Sequence, residues 1–304
     1  MTKMNLNQIQ EYKLVESNLI KQLLRIKKKK SWPLHEPVIN AKSINHVKKC
    51  LNSTWVSTQG EYVKKFEKLL SNKCKTKYAI ATSSGTSALH LALKSLGLDE
   101  TQEVLVSPLT FVSTINAISY CNSMPHFIDV EKNTLGVDLE YLDNYLSKNF
   151  KLSKNKDLIN KKTLKIVKIL MPIYVLGHPI NFKNLKNITR KYNLKVVFDG
   201  AESLGTKYNN KPLQTYGDLS VLSFNGNKVV TTGAGGAILT NNSNLQKKIR
   251  HLASNSKMEH PYLYIHDKIG YNYLMPALSA SLGYSQLENL DMLIKKKKIY
   301  CRKV

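Results

Sequence analysis

Four cysteines in 304 residues, at positions 50, 74, 121 and 301, form neither a metal-ligand set nor a Cys-x-x-Cys redox pair. They read as incidental thiols of a reducing compartment, and no metal is expected. No apolar run approaches the roughly 18 residues of a membrane span. The N-terminal stretch MTKMNLNQIQEYKLVESNLIKQLLRIKKKK has no apolar core followed by a small-residue cleavage site, so it does not read as a secretory signal. A cytoplasmic protein is the expectation. Acidic residues are scarce, 21 against 46 basic, and the net charge of +25 raises the question of a nucleic-acid partner. Arginine is scarcer still, confined to positions 25, 190, 250 and 302. Aromatic residues do not alternate with basic ones as a base-stacking surface requires. The excess is lysine spread along the whole chain. That describes a solvated surface without nucleic acid, and a field that modestly favours an anionic substrate.

What is present suits a globular protein. A hydrophobic content of 42% is ordinary, and the length allows one large domain or two smaller ones. Residues 1–31 read as an amphipathic helical extension ending in Lys27–Lys30, and WPLHEP (32–37) marks the start of the globular body. A helix-like stretch runs from Ser43 to Leu51 and another through Phe66 to Leu70. Strands are then expected at 77–82, 103–107, 125–129, 164–171, 195–199, 219–224 and 235–240. Helices are expected near 86–96, 111–120, 138–147, 181–193, 243–253 and 276–298. Lys151–Thr163, polar and lysine-rich, reads as an exposed loop. Such alternation predicts an α/β fold with a mainly parallel seven-stranded sheet between helices. The last helix, starting near Pro276, runs to Val304 without a stop signal.

Three segments carry chemistry. In TSSGTSALHLAL (82–93) a strand ends in Ser83-Ser84-Gly85, and Thr86 opens an apolar helix, the arrangement that aims free backbone N–H groups at a phosphate. On its own, Ser or Thr before a helix is ordinarily an N-cap. In VVFDGAESLG (196–205) three apolar residues run into Asp199, placing a carboxylate at a strand's carboxyl end, where open α/β sheets bind ligands. Alone, Asp199 reads equally well as the cap of the next turn. In SFNGNKVVTTGAGG (223–236) a strand ends and a short loop offers Lys228, whereas a lone lysine is usually a solvated charge. Together, a phosphate cradle, a strand-end carboxylate and a loop lysine are what pyridoxal 5′-phosphate needs. The helix N-terminus takes the phosphate, the carboxylate keeps the pyridine nitrogen protonated, and the lysine holds the aldehyde.

From about Trp32 onward the sequence resembles the DegT/DnrJ-type sugar aminotransferases. The resemblance is carried by PLHEP, WVSTQGEYVKKFE, SSGTSALHLAL, SPLTFVSTINAISY, DGAESLG, SFNGNK, TTGAGG and GYNYLMPALSASLGYSQLENLD. It is greatest to the branch that aminates UDP-linked 4-keto-6-deoxy-N-acetylhexosamines, as in legionaminic acid pathways, close to perosamine synthases. The resemblance implies the large domain of the type I, aspartate-aminotransferase-like fold over 32–285. It also implies a linking helix at 286–304 leading to a small C-terminal domain that is truncated here. Lys228 is implied as the catalytic amine, and lysine rather than histidine there favours amino transfer over dehydration. Asp199 is implied as partner of the ring nitrogen, and Glu202 sits beside the cofactor's 3-hydroxyl. Ser84, Gly85 and Thr86 form the phosphate turn, to which Ser223 adds a hydroxyl. Phe111 stacks on the ring, and Asn272 reaches a neighbouring subunit's site, implying a homodimer with shared active sites. Tyr174 stands where the family has histidine, and Leu274 where it has Arg or Asn. The implied reaction moves an amino group from glutamate to a nucleotide-linked keto sugar. A sugar dehydratase and a truncated, non-catalytic binding module are the alternatives.

Overall fold

The Asn40 side chain accepts the Ser43 N–H at 2.9 Å and so caps helix α1 (Ala41–Asn52). Helix α2 (Glu61–Cys74) follows and stops where Lys75 turns left-handed. The chain then alternates: β1 (Tyr78–Thr82), α3 (Gly85–Ser95), β2 (Gln102–Val106), α4 (Val112–Ser119), β3 (Met124–Phe127) and α5 (Leu139–Asn149). A hairpin of β4 (Phe150–Leu152) and β5 (Leu158–Asn160) leads to β6 (Ile166–Met171), α6 (Phe182–Lys191) and β7 (Lys195–Asp199). A two-stranded ribbon, β8 (Lys207–Tyr208) with β9 (Lys211–Pro212), precedes β10 (Leu219–Ser223) and β11 (Gly236–Thr240). Helices α7 (Ser243–Ala253), α8 (Ala277–Glu288) and α9 (Leu290–Cys301) complete the order. The computed structural model describes residues 35–301, so the expected extension at 1–31 lies outside the described residues.

The main path of the sheet is β1-β11-β10-β7-β6-β2-β3. Neighbours from β10 to β3 pair in parallel, whereas β11 is antiparallel to both β1 and β10. The exception has a local cause. Residues 224–235 return the chain to the edge where β10 stopped, and β11 runs back from there.

Alternation along the strands covers both faces, as a parallel sheet requires. Ile80, Val104, Ile169, Val197, Val221 and Ile238 pack with apolar residues of α3, α4 and α7. Their neighbours point the other way. Leu105, Leu170, Val196 and Phe198 join residues of α5 and α6, while Ala79, Ala81, Leu222 and Leu239 join α2 and α8.

Two expectations are corrected. The stretch 151–163 is not a plain loop. Phe150 and Leu158 are buried, and β5 adds an antiparallel strand beside β6. Buried Asn160 donates to Glu103 at 3.0 Å, and that carboxylate also meets His126 Nδ1 at 3.1 Å. The terminal helix is two helices. Asn289 ends α8, its side-chain amide donating to the Ser285 carbonyl at 2.9 Å and its N–H to the Gln286 carbonyl at 3.1 Å. Leu287, Leu290 and Leu293 pack into the same core as Phe66 and Phe224. Among the described residues no helix is long and apolar enough to cross a membrane.

One core group links stability to pH. His90 of α3 is buried edge-on to Tyr120 and Tyr271, and burial, helped by the nearby Lys94 charge, lowers its pKa to about 4. The unfolded chain takes up this proton near the ordinary value of 6.5, the folded chain only near 4, so acid favours unfolding across that interval. We expect denaturant titrations to show stability falling by up to roughly 3 kcal/mol between those limits from this group. His90→Phe should flatten that part of the profile; an unchanged slope would contradict the assignment.

Candidate active site

The register of the sheet builds the site. Thr82 at the end of β1 and Ser223 at the end of β10 both pair with Gly236, the first residue of β11. Asp199 ends β7 opposite Val221, two residues short of Ser223. Three segments distant in sequence thus meet at one edge of the sheet, which there opens into a cavity of about 500 Å³. Ser84, Gly85, Thr86, Phe111, Asp199, Glu202, Ser223 and Lys228 all line it. Asn272 does not; it is exposed, and its backbone bridges to Ser254.

At the start of α3 the Ser84 hydroxyl accepts the Ser87 N–H at 3.0 Å, while the Ser87 hydroxyl accepts the Ser84 N–H at 3.0 Å. This capping box uses the third N–H of the helix and leaves those of Gly85 and Thr86 with no earlier carbonyl to bind. Two missing side chains let the turn lie on the sheet. A Cβ at Gly236 would collide with the Ser84 carbonyl oxygen and lie 2.7 Å from the Gly85 nitrogen. A Cβ at Gly85 would stand 3.2 Å from the Ser223 hydroxyl oxygen. Free N–H groups, the helix dipole and hydroxyls gathered here could hold an anion.

Asp199 is only 5% exposed. Its Oδ2 accepts the Thr114 hydroxyl at 2.6 Å and its Oδ1 the Ala201 N–H at 3.1 Å. Burial raises its pKa above the usual carboxylate range, although Thr114, Ala201 and the Lys228 charge pull the other way. A cationic N–H donor placed against it would restore the charged form.

Lys228 stands in the loop between β10 and β11. Phe224 roots that loop, buried and edge-on to Phe66 at 5.2 Å. Its N–H donates to the Gly235 carbonyl at 2.8 Å, and its carbonyl accepts the Thr232 N–H at 3.0 Å. The lysine side chain is 19% exposed, unusual for its type. Its Nζ meets Glu202 Oε1 at 3.3 Å, and Oε2 of that carboxylate accepts the Leu176 N–H at 3.2 Å. Glu202 is 46% exposed, so the pair adds little stability; it holds the amine over the cavity. Phe111 precedes α4 with 76% of its surface exposed, so it is no core residue but a free ring face at the cavity mouth.

Sequence reasoning missed Thr114 and the Leu176 N–H. Thr114 lies one helical turn beyond Phe111, so asking which residues share that side of α4 would have found it. A backbone N–H leaves no mark on side-chain patterns. Tyr174 proves to be a packing residue, stacked on Phe198 at 4.4 Å with its hydroxyl donating to the Leu213 carbonyl at 3.2 Å.

Residues 37–302 match the model of the DegT/DnrJ/EryC1/StrS aminotransferase family. The GDP-perosamine synthase of Escherichia coli O157:H7 is 36% identical over 88% of this chain and 68% of its own length. A UDP-4-amino-4,6-dideoxy-N-acetyl-beta-L-altrosamine transaminase of Campylobacter jejuni is 33% identical over 80% of this chain and 60% of its own. Among solved structures, Helicobacter pylori PseC, an aminotransferase involved in pseudaminic acid biosynthesis, superposes with a TM-score of 0.75 at 26% identity. That match covers 86% of this chain and 67% of PseC. The chain thus spans between 60% and 68% of these relatives. It belongs to the DegT/DnrJ/EryC1/StrS aminotransferase family.

The residues present fit the family's cofactor, pyridoxal 5′-phosphate. The turn that glycine keeps open suits a phosphate, buried Asp199 has room for a cationic ring nitrogen, and the Lys228 amine faces the same cavity. Gly236→Ala should push the start of α3 off β11. Overpacking of this kind costs about 1–3 kcal/mol, so the dissociation constant for pyridoxal 5′-phosphate should rise roughly tenfold or more. Titration by visible absorption checks this; wild-type affinity would remove the turn from the binding site.

Proposed function

We propose that this member of the DegT/DnrJ/EryC1/StrS aminotransferase family moves an amino group from an amino acid, glutamate foremost, to the 4-keto carbon of a nucleotide-linked deoxysugar. The observation that carries the reading is the largely buried Lys228 amine, facing the same cavity as Asp199 and the Gly85 turn. The E. coli GDP-perosamine synthase and the C. jejuni UDP-4-amino-4,6-dideoxy-N-acetyl-beta-L-altrosamine transaminase, named for GDP- and UDP-linked sugars, support the substrate class.

Pyridoxal 5′-phosphate, when bound, supplies an aldehyde that takes up the amino group and a ring that withdraws electrons from the reacting carbon. The chain's own residues do the rest. Ser84, Gly85, Thr86 and Ser223 bind the phosphate. Asp199 accepts the ring N–H, and its charge keeps that proton in place. Phe111 would lie against the ring face, and Glu202 would accept the 3-hydroxyl. Lys228 Nζ holds the cofactor between turnovers. Once freed, the same amine would take up the proton of the donor's α-carbon in its neutral form and give a proton to the sugar carbon in its charged form.

Asn272, exposed and outside its own chain's cavity, supports a homodimer in which each subunit reaches the other's site. The buried free thiols of Cys50, Cys74 and Cys121 suit a reducing compartment, and we place the reaction in the cytoplasm. Surface polysaccharides or nonulosonic acids such as legionaminic acid are the proposed destinations. The amine in the cavity leaves dehydration and mere binding as the weaker readings.

Adding glutamate to the protein loaded with pyridoxal 5′-phosphate should bleach its visible band as the cofactor takes the amino group. Lys228→Ala should lose both the wild-type band and turnover. A spectrum indifferent to glutamate and to other amino donors would overturn the reading.

A further inference from the structure

We propose that Thr114 is a positioning residue, the middle of a two-hydroxyl relay from Thr110 through Thr114 to Asp199 that holds the carboxylate in place and in its charged form. The proposal rests on the reading of Asp199 as partner of the cofactor's ring nitrogen. Thr114 is wholly buried in the first turn of α4. Its Oγ1 lies 2.6 Å from Asp199 Oδ2 and 2.7 Å from Thr110 Oγ1. A helical threonine commonly turns its hydroxyl back to the carbonyl one turn earlier. Here the hydroxyl is given to a carboxylate 85 residues further along the chain.

The direction of the relay follows from proton counting. A charged carboxylate only accepts, so Thr114 must donate its single proton to Asp199. Its lone pairs are then free to accept from Thr110, which is half-buried and lines the cavity. A hydrogen bond donated to the carboxylate stabilises its charged form over the neutral acid.

Asp199 receives one donor on each oxygen, Thr114 on Oδ2 and Ala201 on Oδ1, so lone pairs remain for a ring N–H. The other charged groups that act on it are Lys228 and Glu202, opposite in sign and paired with each other. Without Thr114, Oδ2 is a buried oxygen that has lost its donor, and burial then pushes the group toward the neutral acid. A neutral acid does not hold a pyridine nitrogen protonated.

The test uses the full chain loaded with pyridoxal 5′-phosphate carrying ¹⁵N in the ring, comparing wild type with Thr114→Val, Thr114→Ser and Thr110→Val. Losing a charge-assisted hydrogen bond should raise the cofactor's dissociation constant about tenfold or more in Thr114→Val. The ring nitrogen should move from its protonated toward its unprotonated resonance at neutral pH. Thr114→Ser should restore both, and Thr110→Val should move both in the same direction by less. If Thr114→Val does not fold, Thr110→Val carries the nitrogen readout. Two results would overturn the relay: a wild-type resonance in every variant, or a loss that Thr114→Ser fails to restore. A wild type that does not retain the cofactor would instead overturn the reading of the site itself.

Discussion

A carboxyl group buried at the end of β7 is costly unless something nearby compensates it, and the surrounding edge of the sheet is built to do so. Asp199 draws one donor from α4 and one from its own turn, yet burial still raises its pKa. That residual deficit is the opening for a cationic ring nitrogen. The phosphate turn and the amine follow from the same constraint. The parallel register of β7 and β10 with the return of β11 brings both to the cavity that Asp199 lines.

Much of this was legible in the residues. The seven expected strands and the helices between them reflect alternation too regular to be hidden by the lysine-rich surface. The site segments were legible because each ends a strand and breaks into glycine or polar residues. What escaped did so for physical reasons. Phe150 and Leu158 are isolated apolar residues in a polar stretch, and only pairing with Ile166 and Val167 at the start of β6, which β7 does not reach, draws them into a hairpin. The break at Asn289 depends on one amide reaching back to a carbonyl. Thr114 gains meaning only when β7 brings Asp199 beneath α4.

The loop bearing Lys228 shows how local chemistry becomes function. Phe224 anchors its root in the core, and paired hydrogen bonds to Gly235 and Thr232 close it. Lys228 sits on this anchored loop, and the Glu202 carboxylate holds its amine at 3.3 Å. The +25 charge is a background to this site rather than its cause. We propose that this confinement sets the Lys228 amine apart from the solvated surface charges.

That distinction can be measured in one step. Borohydride reduction of the protein loaded with pyridoxal 5′-phosphate, followed by peptide mass mapping, shows which nitrogen holds the cofactor. Forty-two lysines compete, the 46 basic residues less four arginines. One phosphopyridoxyl group, on the peptide containing Lys228 and nowhere else, is the expected result. Label scattered over surface lysines, with Lys228 unmodified, would contradict it.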